Sequence, residues 1–109
     1  FTLQGRPFLG LNGGPRFPFT EAVSFVVPCE DQADIDRLWA ALSEGGAPGP
    51  CGWVKDRYGL SWQIAPRAVF AMLRDPDAAR AGRVMQAVMT MSKIELKALE
   101  RAYAGDGAA

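Results

Sequence analysis

Up to Ala65 the apolar residues of this chain fall in short alternating runs, broken by one stretch at helical spacing. Beyond Pro66 they recur at helical spacing only. A sheet-forming portion followed by helices predicts an α+β fold. It argues against a doubly wound parallel sheet, in which strands and helices would alternate throughout. The chain's 109 residues suffice for one domain.

Phe1 to Gln4 and Pro7 to Leu11 predict a hairpin turning at Gly5-Arg6, closed by Asn12-Gly-Gly-Pro15. Val23 to Val27 predicts a strand with Val23, Phe25 and Val27 on one face and Ser24 and Val26 on the other, ended by Pro28. A helix follows, with Asp31 as N-cap and Asp34 in the first turn, where negative charge suits the helix dipole. Ile35, Leu38, Trp39 and Leu42 form its buried stripe, and Gly45-Gly46 stops it. Ala47-Pro-Gly-Pro50 reads as a loop. Cys51 to Lys55 and Leu60 to Ala65 predict a second hairpin about Asp56-Arg-Tyr-Gly59, in which Trp62 and Ile64 alternate with Ser61 and Gln63.

After Pro66 a short helix carries Val69, Phe70 and Leu73. Asp75 and Pro76 predict the cap and first residue of another, whose apolar side holds Val84, Met85, Val88, Met89 and Met91. Ser92-Lys-Ile-Glu95 has the pattern of a capping box and predicts a last helix, buried through Ile94, Leu96, Leu99 and Tyr103. The methionines read as core packing, since thioethers fill irregular gaps; a ligand or partner groove is the alternative. Beyond Tyr103 the tail is expected to fray.

Apolar residues make up 49% of the chain, with three Trp and six Phe, enough to build a core. Twelve basic residues balance twelve acidic ones, so the basic excess of a nucleic-acid binder is missing. No apolar run approaches the roughly 20 residues of a spanning helix, and no membrane partner is expected. Two cysteines, Cys29 and Cys51, are too few for a disulfide framework and are expected as free, buried thiols of a cytoplasmic protein. A thiolate nucleophile is the lesser alternative, because the chain has no histidine to activate one.

The lack of histidine also removes the main component of common catalytic triads and metal sites. Gly10, Gly13 and Gly14 do not form the strand, glycine-loop and helix unit of a dinucleotide or Rossmann-like S-adenosylmethionine site. The remaining polar candidates are Ser24, Ser61 and Gln63 on the polar side of the sheet, joined by Asn12. A cupped sheet would gather them around a small molecule, with Trp53 or Trp62 as an apolar wall. The alternative is local hydrogen bonding on an exposed face.

Several segments together resemble one family: Gly5-Arg-Pro-Phe-Leu-Gly-Leu-Asn-Gly-Gly-Pro15, Ala22-Val-Ser-Phe-Val-Val27, Glu30-Asp-Gln32, Leu42-Ser-Glu-Gly-Gly46, Cys51-Gly-Trp-Val-Lys-Asp-Arg-Tyr-Gly-Leu-Ser-Trp-Gln-Ile-Ala-Pro66, Asp75-Pro-Asp77 and Met91-Ser-Lys-Ile94. They are similar to the PhnB-like proteins, often labelled demethylubiquinone methyltransferase, of the vicinal-oxygen-chelate (glyoxalase and bleomycin-resistance) superfamily. The resemblance covers nearly the whole chain, and its most specific part runs from Cys51-Gly-Trp53 to Trp62-Gln-Ile64. It implies two βαβββ modules paired into a cupped sheet. On that reading residues 1–15 end the first module, 22–66 form the second and 67–104 are C-terminal helices. Most of the first module is then expected before Phe1, where the sequence already reads as strand, or is supplied by an exchanged partner chain.

The resemblance also implies metal ligands (His, Glu or Gln) on the first and last strands of each module. Gln63 falls on or near the last-strand position, while Ser24 or Val26 stands where a His is expected. One amide is a poor start for a divalent site, so the expectation is a small-molecule ligand bound without metal or cofactor. The alternative is an enzyme of the superfamily, either a metal-dependent lyase or dioxygenase type or the methyltransferase of the label, with essential residues preceding Phe1. A homodimer is expected, partly from the family and partly because half a cup leaves apolar sheet surface uncovered.

Overall fold

The computed structural model describes residues 1–105. Two short strands, β1 (Thr2–Leu3) and β2 (Arg6–Pro7), pair antiparallel around a turn at Gln4 and Gly5. Both turn residues have positive φ, so the turn sits one residue earlier than predicted and the second strand is far shorter than Pro7 to Leu11. Phe8 still exchanges hydrogen bonds with Phe1 and stacks on its ring, and from Leu9 on the exposed, glycine-rich continuation leaves the pairing.

The main sheet is built from β3 (Ser24–Cys29), β4 (Ala47–Pro48), β5 (Trp53–Lys55) and β6 (Ser61–Pro66), in the order β3-β6-β5-β4. Strand β3 runs parallel to β6, and the other two pairings are antiparallel. With helix α1 (Gln32–Ser43) between β3 and β4, residues 24–66 form a βαβββ unit, and the fold is α+β.

Two strand predictions are corrected. Pro28 does not end β3, which continues to Cys29; an edge strand tolerates proline where the missing N–H faces away from its neighbour. Ala47 and Pro48 are a strand and not a loop, pairing with Lys55 and Val54 at the opposite sheet edge. Being the other edge, β3 leaves Phe25 and Val26 exposed, with Val23 beside them.

Helix α1 begins as its sequence dictates, the Asp31 carboxylate accepting from the Asp34 N–H at 2.9 Å. Its stripe lies on one face of the sheet. Ile35, Cys29, Val54 and Ile64 are buried there, with Val27, Leu38, Trp39, Leu42 and Trp62 packed around them. Burial raises the pKa of the Cys29 thiol, which keeps it protonated.

The chain then forms α2 (Arg67–Leu73), α3 (Ala78–Met89) and α4 (Leu96–Ala104), joined by a second core of Val69, Val84, Ile94 and Leu99. The cap of α3 is Asp77, not Asp75: its carboxylate accepts from the Ala79 N–H at 3.0 Å and the Arg80 N–H at 3.3 Å. Asp75 instead accepts from the Tyr103 hydroxyl on α4. Met91 packs in this core as expected, alongside Met72, but Met85 and Met89 are exposed, because the helix turns them away from α2 and α4. After Tyr103, Ala104 still belongs to α4 and Gly105 caps it with a positive φ; the rest of the tail expected to fray lies outside the described residues.

The capping box at Ser92–Glu95 does not form. Ser92 donates to the Gly49 carbonyl at 2.6 Å, and Glu95 makes no side-chain cap. The orphan N–H of Leu96, first residue of α4, donates instead to Gln32 Oε1 on α1 at 2.7 Å. Gln32 Nε2 also donates to the Ile94 carbonyl at 3.0 Å. One side chain therefore ties the sheet layer to the helical portion. Gln32→Leu should cost about 2 kcal/mol, since it strands two backbone groups beside buried Ile94. Urea denaturation measures this, and an unchanged midpoint would show that the bridge contributes nothing.

Candidate functional site

Strand register sorts the polar candidates. Residues paired across neighbouring strands share a sheet face. Ser24 pairs with Ser61 and Val26 with Gln63; Trp53 pairs with Gln63 and Lys55 with Ser61. Ala47, opposite Lys55, extends the same face. This is the face turned away from α1.

On it Gln63 Nε2 donates to Ser24 Oγ at 2.9 Å, so two of the sequence candidates are bonded to each other across the β3–β6 pair. Beside them is a cavity of about 510 Å³, within the range of small-molecule sites. Its walls include Trp53, Ser61 and Lys55 from the sheet, Pro48 and Pro50 from β4 and the following turn, and Glu21 from the irregular segment before β3.

The structure thus gathers four of the six sequence candidates on one face, with Trp53 and Ser61 in the cavity wall and Ser24 and Gln63 alongside. Trp62 lies on the other face. It packs with the α1 core, touches the Phe25 ring at 5.6 Å between centroids, and donates its indole N–H to Asp56 at 2.9 Å. Alternation dictates this, since Trp62 sits between Ser61 and Gln63. Asn12 is exposed in the segment between β2 and β3, away from these strands in sequence and held by no element.

The turn before β5 shapes the cavity floor. Cys51 and Gly52 both have positive φ, and their N–H groups donate to the Met91 and Ser92 carbonyls at 2.7 Å each. Cys51, expected to be buried, is only partly so and lines the cavity, because this turn carries it out of the core. A Cβ on Gly52 would come 2.8 Å from the Ile64 carbonyl oxygen, so glycine is required on both conformational and steric grounds.

Lining groups that sequence reasoning did not single out include Lys55, Glu21 and Pro48. Lys55 had a usable signal, being two residues from Trp53 on one strand and hence on its face. Glu21 had none, since it lies in an irregular segment. The two form an ion pair at the cavity wall, with side chains 42% and 62% exposed. The hydrogen bond from the Lys55 ammonium holds the Glu21 carboxyl below its usual range. The carboxylate therefore gives up its charge at a lower pH than a free glutamate does.

Among the described residues no three His, Cys, Asp or Glu side chains cluster closely enough to share a metal ion. Also among the described residues, no helix is long and apolar enough to cross a membrane.

A sequence model of one protein family, described as 3-demethylubiquinone-9 3-methyltransferase, matches residues 1–65, which spans the sheet and α1 and stops before α2. No curated protein matches the chain.

Proposed function

The chain belongs to the 3-demethylubiquinone-9 3-methyltransferase family, and from that premise we propose that it binds a small molecule on the sheet face opposite α1, without using a metal. The observation that carries this reading is the cavity of about 510 Å³ whose wall combines Trp53 with the buried Ser61 and with Lys55. Apolar walls with a few convergent polar groups are the usual composition of a ligand site. The βαβββ unit of residues 24–66 supports a superfamily reading in which this face is the inner surface of a cupped sheet.

Methyl transfer, which the family's description names, is the second reading. Its donor would need a site beyond the groups described above.

Calorimetric titration of the chain with 2-naphthoate and with 2-naphthalenemethanol, flat probes small enough for the cavity, tests the proposal. At least one should bind with a stoichiometry of about one per chain, as a single cavity requires. If neither binds while S-adenosylmethionine does, the methyltransferase reading replaces the one preferred here.

A further inference from the structure

The cavity's polar groups are few and unequal, and they discriminate among ligands. Ser61 is only 2% exposed, so what remains accessible of it opens on the cavity it lines. Its hydroxyl is one of the few polar side-chain groups in the wall. Lys55 supplies a cation on the same face, directly across the β5–β6 pair from Ser61. The only acid among the lining residues is Glu21, and it is of a different kind: it comes from an irregular segment, is 62% exposed, and reaches the cavity through its contact with Lys55.

A ligand filling this space displaces water from the Lys55 ammonium. A neutral ligand would leave that charge dependent on Glu21 alone. A cation would meet like charge at the wall. A ligand with its own carboxylate can take the place of Glu21, because an exposed ion pair is held by little free energy and yields easily. It would then form a charge-assisted bond to an ammonium whose surroundings the ligand has dried.

We infer that the ligand is an apolar, flat molecule bearing a carboxylate or equivalent anion, with its apolar body against Trp53 and its anion on Lys55 and Ser61 in exchange for Glu21. The inference rests on the small-molecule reading above and adds the ligand's charge and the role of Glu21 as a displaceable internal anion. Glu21 is here a positioning residue, occupying Lys55 when the cavity is empty.

Three probes of one shape test it: 2-naphthoate, 2-naphthalenemethanol and 2-naphthylmethylammonium. The wild-type chain should bind the anion at least tenfold tighter than the alcohol, and the cation weakest. Lys55→Met should bring the anion down to the level of the alcohol while leaving the alcohol nearly unchanged. Glu21→Gln should tighten the anion severalfold, by removing its competitor. This variant lies in an exposed, irregular segment and carries the test if Lys55→Met does not fold. Equal binding of anion and alcohol by the wild type, or an anion preference that survives Lys55→Met, would overturn the inference and leave the small-molecule reading intact. Failure of all three probes to bind would overturn both.

Discussion

Replacing Gly46 by alanine should destabilise the chain by about 3 kcal/mol or more, a large part of the roughly 5–15 kcal/mol that holds a domain of this size together. The cause is contact, not conformation. A Cβ at Gly46 would lie 2.0 Å from the Lys55 carbonyl oxygen and 2.7 Å from the Asp56 carbonyl carbon. Both obstacles are backbone, in the strand end to which β4 is hydrogen-bonded, so no rotamer change relieves the clash. The strands must part, and β4 would leave the cavity wall with them. Gly82 in α3 is the control: nothing lies within 4 Å of a Cβ there, and alanine favours the helix. Thermal unfolding should show Gly46→Ala far below the wild type and Gly82→Ala at or slightly above it. Equal melting of the Gly46→Ala variant would mean that β4 does not sit where it is described.

The second large effect is on binding. Trp53→Ala should weaken binding of the naphthalene probes by tenfold or more, about 1.4 kcal/mol or above. The indole is the largest apolar surface in the cavity wall, and aromatic contacts dominate such sites. Trp53 is half-buried and lies outside the α1 core, so the accompanying loss of stability should be modest. Gln63→Ala should do less, since its amide is already bonded to Ser24 and sits beside the cavity. A Trp53→Ala chain that keeps its fold and binds as tightly as the wild type would remove Trp53 from the site.

The contrast between Trp53 and Trp62 shows how far the sequence was legible. Alternation along Ser61-Trp62-Gln63-Ile64 puts Trp62 with the core and Ser61 and Gln63 opposite, and the structure has them so. Naming both tryptophans as possible walls ignored what that period already decided. The α1 stripe, its Asp31 cap and the order of sheet before helices were equally readable, because each depends on neighbours within a few residues.

What escaped depends on partners far along the chain. Strand β4 has two residues and no periodicity, and exists only because β5 pairs with it. The first N–H of α4 is satisfied by Gln32, 64 residues away, so a locally plausible capping box lost to a tertiary contact. Asp75 resembles a cap in sequence but is drawn to Tyr103, leaving Asp77 to do that work. Met85 and Met89 have helical spacing that suits a core, yet no element covers that side of α3 among the described residues. Glu21 reaches the cavity only through the path of an irregular segment, which no local rule describes.

The central claim is that the face opposite α1, at Trp53, is the binding face. The chain's three tryptophans make this directly observable, since each gives one indole N–H signal in a nitrogen-resolved proton spectrum. Trp53 lines the cavity, while Trp39 and Trp62 pack against the α1 core. On titration with 2-naphthoate, the Trp53 indole signal should move with saturating dependence while those of Trp39 and Trp62 stay in place. A shift confined to Trp39 or Trp62, or no indole shift under conditions where calorimetry shows binding, would contradict the account.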